Sequence, residues 1–168
     1  MSFLVAHYHP LLFAVITLCA MAQLGLTAFL ISAAESLHSW PSSRYRSLLI
    51  LFLFDSIWTT VLSSAYLYWI LEGAVHLLAS IASSVIWLFI TAILWGTAAG
   101  IFHNARRGDC AGIPVVSRSR CRETLTADAL GWTEFGLCLL TLSATLLWMH
   151  GHRKSYVSPC TVPSRRRC

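Results

Sequence analysis

The chain has 168 residues, of which 57% are hydrophobic and only 11% charged, with a formal net charge of +5. A soluble domain averages roughly a quarter charged residues, so this composition excludes an ordinary water-soluble globule. The positive charge is divided among connections and tail, which argues for loop solubility and attraction to anionic lipid headgroups and against a nucleic-acid surface.

The apolar residues come in four blocks, about 11–34, 47–71, 74–102 and 129–149. About 20 apolar residues rising 1.5 Å each cross a hydrocarbon core of roughly 30 Å. Hydrocarbon offers no partner to backbone N–H and C=O groups, so a span must be a helix or a closed barrel. These runs are too long and too continuously apolar for barrel strands. The expected fold is therefore all-α, a left-handed four-helix transmembrane bundle over residues 1–152 with both termini on one side.

The first block begins after MSFLVAHYHP, which lacks the basic start of a secretory signal. The run also overshoots a signal's apolar region of about 7–15 residues, so it is read as a helix. SLHSWPSSRYR then connects helices 1 and 2, punctuated by Pro41. Glu72-Gly73 turns the chain tightly between helices 2 and 3. The stretch 104–128 is expected to be the large loop, on the lumenal or extracellular side, and 153–168 a disordered basic tail.

Basic residues do not orient the bundle. Arg153, Lys154, Arg165, Arg166 and Arg167 lie on the terminal side, against Arg44, Arg46, Arg106, Arg107, Arg118, Arg120 and Arg122 on the loop side. Cys110 and Cys121 sit in the large loop without the C-x-x-C spacing of a zinc or redox site. Joined as a disulfide they require an oxidising compartment, which puts both termini in the cytosol. Unpaired, they are two thiols on a cytosolic loop.

Each helix carries one polar stripe at helical spacing. Helix 1 has Cys19, Gln23 and Thr27; helix 2 has Asp55, Thr59, Ser63 and Tyr66. Helix 3 has His76, Ser80, Ser84, Trp87, Thr91 and Trp95; helix 4 has Glu134, Cys138, Thr141 and Thr145. All four stripes can face inward, leaving Leu, Ile, Val and Phe to meet lipid. GTAAG (96–100) is a G-x-x-x-G match, read as packing within the chain in preference to a dimer face.

Asp55 and Glu134 are the intramembrane carboxyls, with Gln23, Trp58, Trp95 and Trp132 at similar depth. Together these six are the candidate pocket for lipid or substrate. A carboxylate in hydrocarbon costs about 2.5–3.5 kcal/mol or more unless paired or protonated. Three uses compete: a hydrogen-bonded tie from Asp55 to Gln23 or Thr59, recognition of the polar head of a lipid or sterol, and acid chemistry with Asp55 or Glu134 donating a proton. The H-x-H pairs His7/His9 and His150/His152 could bind adventitious metal, but no Cys or carboxylate completes a site at metal-ligand spacing. No phosphate loop or nucleophile motif is present, and neither metal nor cofactor is expected.

The run from SRYRSLLILFLFDSIWTTVL through ILWGTAAG, with CRETLTADALGWTEFGLCLL downstream, resembles small fungal MARVEL-domain proteins. The positions that carry the likeness are Arg46, Asp55, Trp58, Trp87, Trp95, Cys121, Arg122, Ala129 and Trp132. The resemblance spans roughly residues 5–155 through loose, mostly hydrophobic motifs. It implies a four-helix membrane module with cytosolic termini, in the plasma membrane or endomembranes. It also implies membrane organisation or trafficking through lateral association with lipids, sterol among them, with other membrane proteins and with copies of itself. Claudins look less similar, because the first loop lacks their W…GLW…C…C pattern. From a different class, the alternative is a small integral-membrane enzyme or accessory subunit acting on a terpenoid, sterol or polyketide, with Asp55 and Glu134 as acid groups.

Overall fold

A computed structural model describes residues 2–36, 40, 42–72, 77–106 and 118–156. They form four helices: α1 Ser2–Ser36, α2 Ser43–Glu72, α3 Leu77–Arg106 and α4 Arg118–Tyr156. Within them lie four spans long and apolar enough to cross a membrane, Pro10–Ser36, Ser43–Trp69, Ser83–Ala105 and Cys121–His150. The shortest has 23 residues, about 35 Å of helix and more than the hydrocarbon core requires. The chain is a multi-pass integral membrane protein built as a four-helix bundle.

The helices run past the expected ends. α1 continues through Pro10 towards the N-terminus; there proline removes the backbone bond to the Ala6 carbonyl. At the other extreme, 118–128 is not loop but the opening of α4. Ala127 and Asp128 are buried there, and their contacts to α1 and α3 hold the segment helical. Residues 153–156 likewise belong to α4, while 107–117 and 157–168, with Cys110, lie outside the described residues, as does His76. The start of α2 is legible locally: the Ser42 hydroxyl accepts the Tyr45 N–H at 3.1 Å, an N-cap.

Around the bundle, α1 packs on α2 and α4, and α3 on α4 and α2. The closest pairs are α1/α2 and α3/α4, so two tight hairpins meet along two looser seams, α2/α3 and α1/α4. Aromatic side chains fill the two halves of the core. Phe13, Tyr66 and Trp87 stack with centroids 5.5–6.0 Å apart. Nearer the α1–α2 connection, Phe52 meets Trp95 at 5.8 Å and the edge of Phe102 at 5.1 Å.

Leu18, Val61, Ile86 and Leu147 are among the large apolar side chains left on the outside. Hydroxyls that face outward donate to their own helix. Ser64 bonds the Thr60 carbonyl, Thr97 that of Ile93, Thr133 that of Ala129 and Ser143 that of Leu139. No donor is left bare towards hydrocarbon at these four positions.

Candidate functional site

The four polar stripes do turn inward. Gln23, Thr27, Asp55, Thr59, Ser63, Thr91, Trp95, Glu134, Cys138 and Thr141 all have zero solvent exposure. Their spacing of three and four residues on apolar helices leaves one narrow polar face per helix, and the bundle interior is where those faces meet.

Side-chain hydrogen bonds stitch the α2/α3 seam. The Trp58 indole donates to the Thr91 hydroxyl at 3.3 Å, the Trp95 indole to the Thr59 hydroxyl at 3.0 Å, and Tyr66 pairs with Ser83. Large side chains bridge this seam, which is why its helices stand further apart. Across the α1/α4 seam the Gln23 amide donates to the Ala127 carbonyl at 3.3 Å. Within the hairpins, Thr17 bonds Ser63 at 2.8 Å and His103 Nδ1 meets Asp128 Oδ2 at 2.9 Å.

These contacts set the levels. The His103–Asp128 pair and the approach of Gly96 to Phe135 put Glu134 level with Thr97. The two indole bonds to α2 put Asp55 level with the turn Leu94–Ala99, and Thr17–Ser63 puts Gln23 level with Ile57. One buried layer thus receives Asp55 from α2, Trp95 from α3 and Glu134 from α4, while the Gln23 amide meets α4 at Ala127, seven residues or about 10 Å before Glu134. Trp58 borders it, half-buried.

Trp132 does not join them. It is 44% exposed and meets the Phe135 ring edge-on. Two residues before Glu134 is about 200° round the helix, which turns Trp132 to the outside.

Both carboxyl oxygens of Asp55, both of Glu134 and Oε1 of Gln23 are buried without a hydrogen-bond partner. The expected tie from Asp55 to Gln23 or Thr59 is therefore not made. The Gln23 amide points to Ala127 and the Thr59 hydroxyl receives Trp95. Nor do Asp55 and Glu134 bond each other, although they share a level. Asp55 lies on the face of α2 that carries Trp58, Thr59 and Tyr66 across to α3. Glu134 lies towards α1, within electrostatic reach of the Cys19 and Cys138 thiols. Each looser seam holds one unpartnered carboxyl.

The His103–Asp128 pair is not legible in the sequence, where Asp128 reads as loop. Sequence reasoning also misses the close approach at Gly131, where an added Cβ would lie 2.7 Å from the Phe52 ring. A glycine inside the apolar ALGW run is the available signal. Gly96 does serve internal packing, with a Cβ there 2.9 Å from Phe135, whereas Gly100 faces open space. Cys19 and Cys138 are free thiols; Cys121 is not one of them. Among the described residues, no three His, Cys, Asp or Glu side chains gather as a metal-ligand set. Comparison with protein-family models, with curated proteins and with solved structures finds no match to this chain.

Proposed function

We propose that the protein is a MARVEL-type membrane module that organises its surroundings by lateral association with lipids, sterol among them, and with other membrane proteins or further copies of itself. Its termini are cytosolic in this reading, and Cys110 pairs with Cys121 on the far side, in the plasma membrane or an endomembrane. The observation that carries the reading is the outward surface. Large apolar side chains cover it, broken by seats where a Cβ would meet nothing, at Gly25 on α1 and Gly136 on α4. On α1 the exposed Ala22, Gly25, Ala28 and Ser32 continue the small surface, the kind of face that lets another helix approach closely in lipid.

The test is reconstitution of fluorescent protein into giant vesicles separated into sterol-rich and sterol-poor phases. Unequal partition with multi-step photobleaching is expected. Monomers spread evenly over both phases would overturn the reading.

A second reading has one specific observation behind it, the unpartnered oxygens of Asp55 and Glu134. In an enzyme or accessory subunit for a terpenoid, sterol or polyketide, either group would donate a proton inside a dry core, with Trp95 beside it to face a cationic intermediate. Asp55→Asn separates the readings: normal folding with loss of a measured conversion would establish the acid role.

A further inference from the structure

We infer that Asp55 is the anchor of a binding site in the α2/α3 seam for an amphiphile whose head is a protonated primary amine. This deepens the lipid-association reading and rests on it only in taking the outer face of α2 to meet lipid.

The first support is a mismatch of donors and acceptors. Asp55 is fully buried, and neither of its oxygens has a partner. The two indole N–H groups nearest Asp55 on this seam are committed elsewhere, Trp58 to Thr91 and Trp95 to Thr59. The third, of Trp87, is buried without a partner beside Tyr66, about three turns along α2 from Asp55. Thr59 and Ser56, the hydroxyls nearest in sequence, do not reach the carboxyl, and Ser56 donates to the Phe52 carbonyl at 2.6 Å. What the surroundings of Asp55 lack is donors, at least two of them, and a charge to balance a carboxylate in hydrocarbon. An ammonium head supplies three N–H donors and that charge. A lipid or sterol hydroxyl supplies one donor and no charge, so it leaves an oxygen unmet.

The second support is the route in. Phe54, next to Asp55 in sequence, is 53% exposed on the outer face. Its ring stacks on Trp58 with centroids 6.3 Å apart. Trp58 in turn is half-buried and reaches α3 through its indole nitrogen. An aromatic surface therefore runs continuously from lipid to the seam, one helical turn from the carboxyl. Ring faces attract an ammonium, and this wall ends where the acceptors begin. The α1/α4 seam holds Glu134 and has thiols for neighbours, so it offers no such wall.

The experiment is a thermal melt of the full chain in phosphatidylcholine nanodiscs, with dodecylamine, dodecanol or dodecyltrimethylammonium added at equal membrane fractions. Dodecylamine is expected to raise the wild-type Tm by on the order of 5 °C over the other two. Dodecanol has one donor and no charge; dodecyltrimethylammonium has charge and no donor. The advantage should vanish in Asp55→Asn and persist in Glu134→Gln. Equal shifts for all three amphiphiles in wild type, or an amine advantage that survives Asp55→Asn, overturns the inference. The wild-type comparison stands alone should a variant fail to fold. The melt reads ligand binding within one chain, so its failure leaves the partition and photobleaching test of lateral association untouched.

Discussion

The Trp95 indole on α3 donates to the Thr59 hydroxyl on α2 at 3.0 Å, with both side chains fully buried. The bond crosses the looser α2/α3 seam in the layer that contains Asp55. In lipid there is little hydrophobic drive between helices, so such bonds and close packing hold the seam.

Trp95→Phe keeps most of the ring and removes the donor. It should lower the unfolding free energy by about 0.6–1.7 kcal/mol, the range of interhelical bonds in membranes. Trp95→Ala adds a cavity beside Phe52 and should cost about 3–5 kcal/mol. Reversible unfolding in mixed micelles measures both, and Trp95→Phe as stable as wild type would show that the bond contributes nothing.

Gly131 and Gly100 should answer alanine in opposite ways. At Gly131 the new methyl meets the Phe52 ring at 2.7 Å. Phe52 is fully buried among Trp95 and Phe102 and has nowhere to go, so the loss should be about 1–3 kcal/mol. Gly100 faces open space on α3, and alanine there should be neutral or stabilising by up to about 1 kcal/mol through helix propensity. Similar effects at both sites would mean that α4 does not approach α2 as described.

How much of this was legible in the sequence follows from the solvent. Continuous apolar runs have one reading in a bilayer, so the spans and the inward polar stripes could be recognised from spacing alone. Asp55, Glu134 and Trp95 reach one layer because antiparallel helices fix depth from distance to the nearest turn, whereas the Gln23 amide meets α4 at Ala127, about two turns from Glu134. Direction around the helix axis is harder. Trp132 has the same depth, yet it points outward. The opening of α4 is hidden because RSRCRETLTAD is polar and reads as loop, whereas Ala127 and Asp128 are tied to α1 and α3. Which seam each carboxyl enters depends on helix order, which no local pattern encodes.

His103 and Asp128 should pin the opening of α4 to the end of α3. The His103 side chain is 41% exposed and that of Asp128 5%, so the bond is partly screened and should contribute about 1 kcal/mol. Hydrogen exchange after His103→Ala should show faster exchange at amides 121–128, with the mid-span amides of α4 unchanged. Unaltered exchange at 121–128 would transfer that role to the Gln23–Ala127 contact.

The proposed Cys110–Cys121 pair predicts a labelling count. The chain has six cysteines, and Cys19 and Cys138 are free. Protein denatured without reductant should accept four maleimide adducts, and six after reduction. Six before reduction, in protein taken from its native membrane under thiol-blocking conditions, would remove the disulfide and with it the argument for cytosolic termini.

Asp55→Leu should make the ligand-free protein more stable, an unusual direction for a change at a fully buried residue. Leucine has the same number of side-chain heavy atoms and the same branching, so packing changes little. It also removes two buried oxygens that have no partner. An unsatisfied buried polar group costs about 1–3 kcal/mol, and a carboxyl deep in a bilayer about 2.5–3.5 kcal/mol or more. A gain of about 1–3 kcal/mol is therefore expected, without the selective stabilisation by dodecylamine. Thr59→Val on the same face is the contrast: it orphans the Trp95 indole and should lose about 1 kcal/mol. Stability that rises while ligand response disappears marks a residue whose cost is tolerated for what it binds. A fall in stability on Asp55→Leu would mean that the carboxyl is satisfied within the bundle, and would make Asp55 a structural tie.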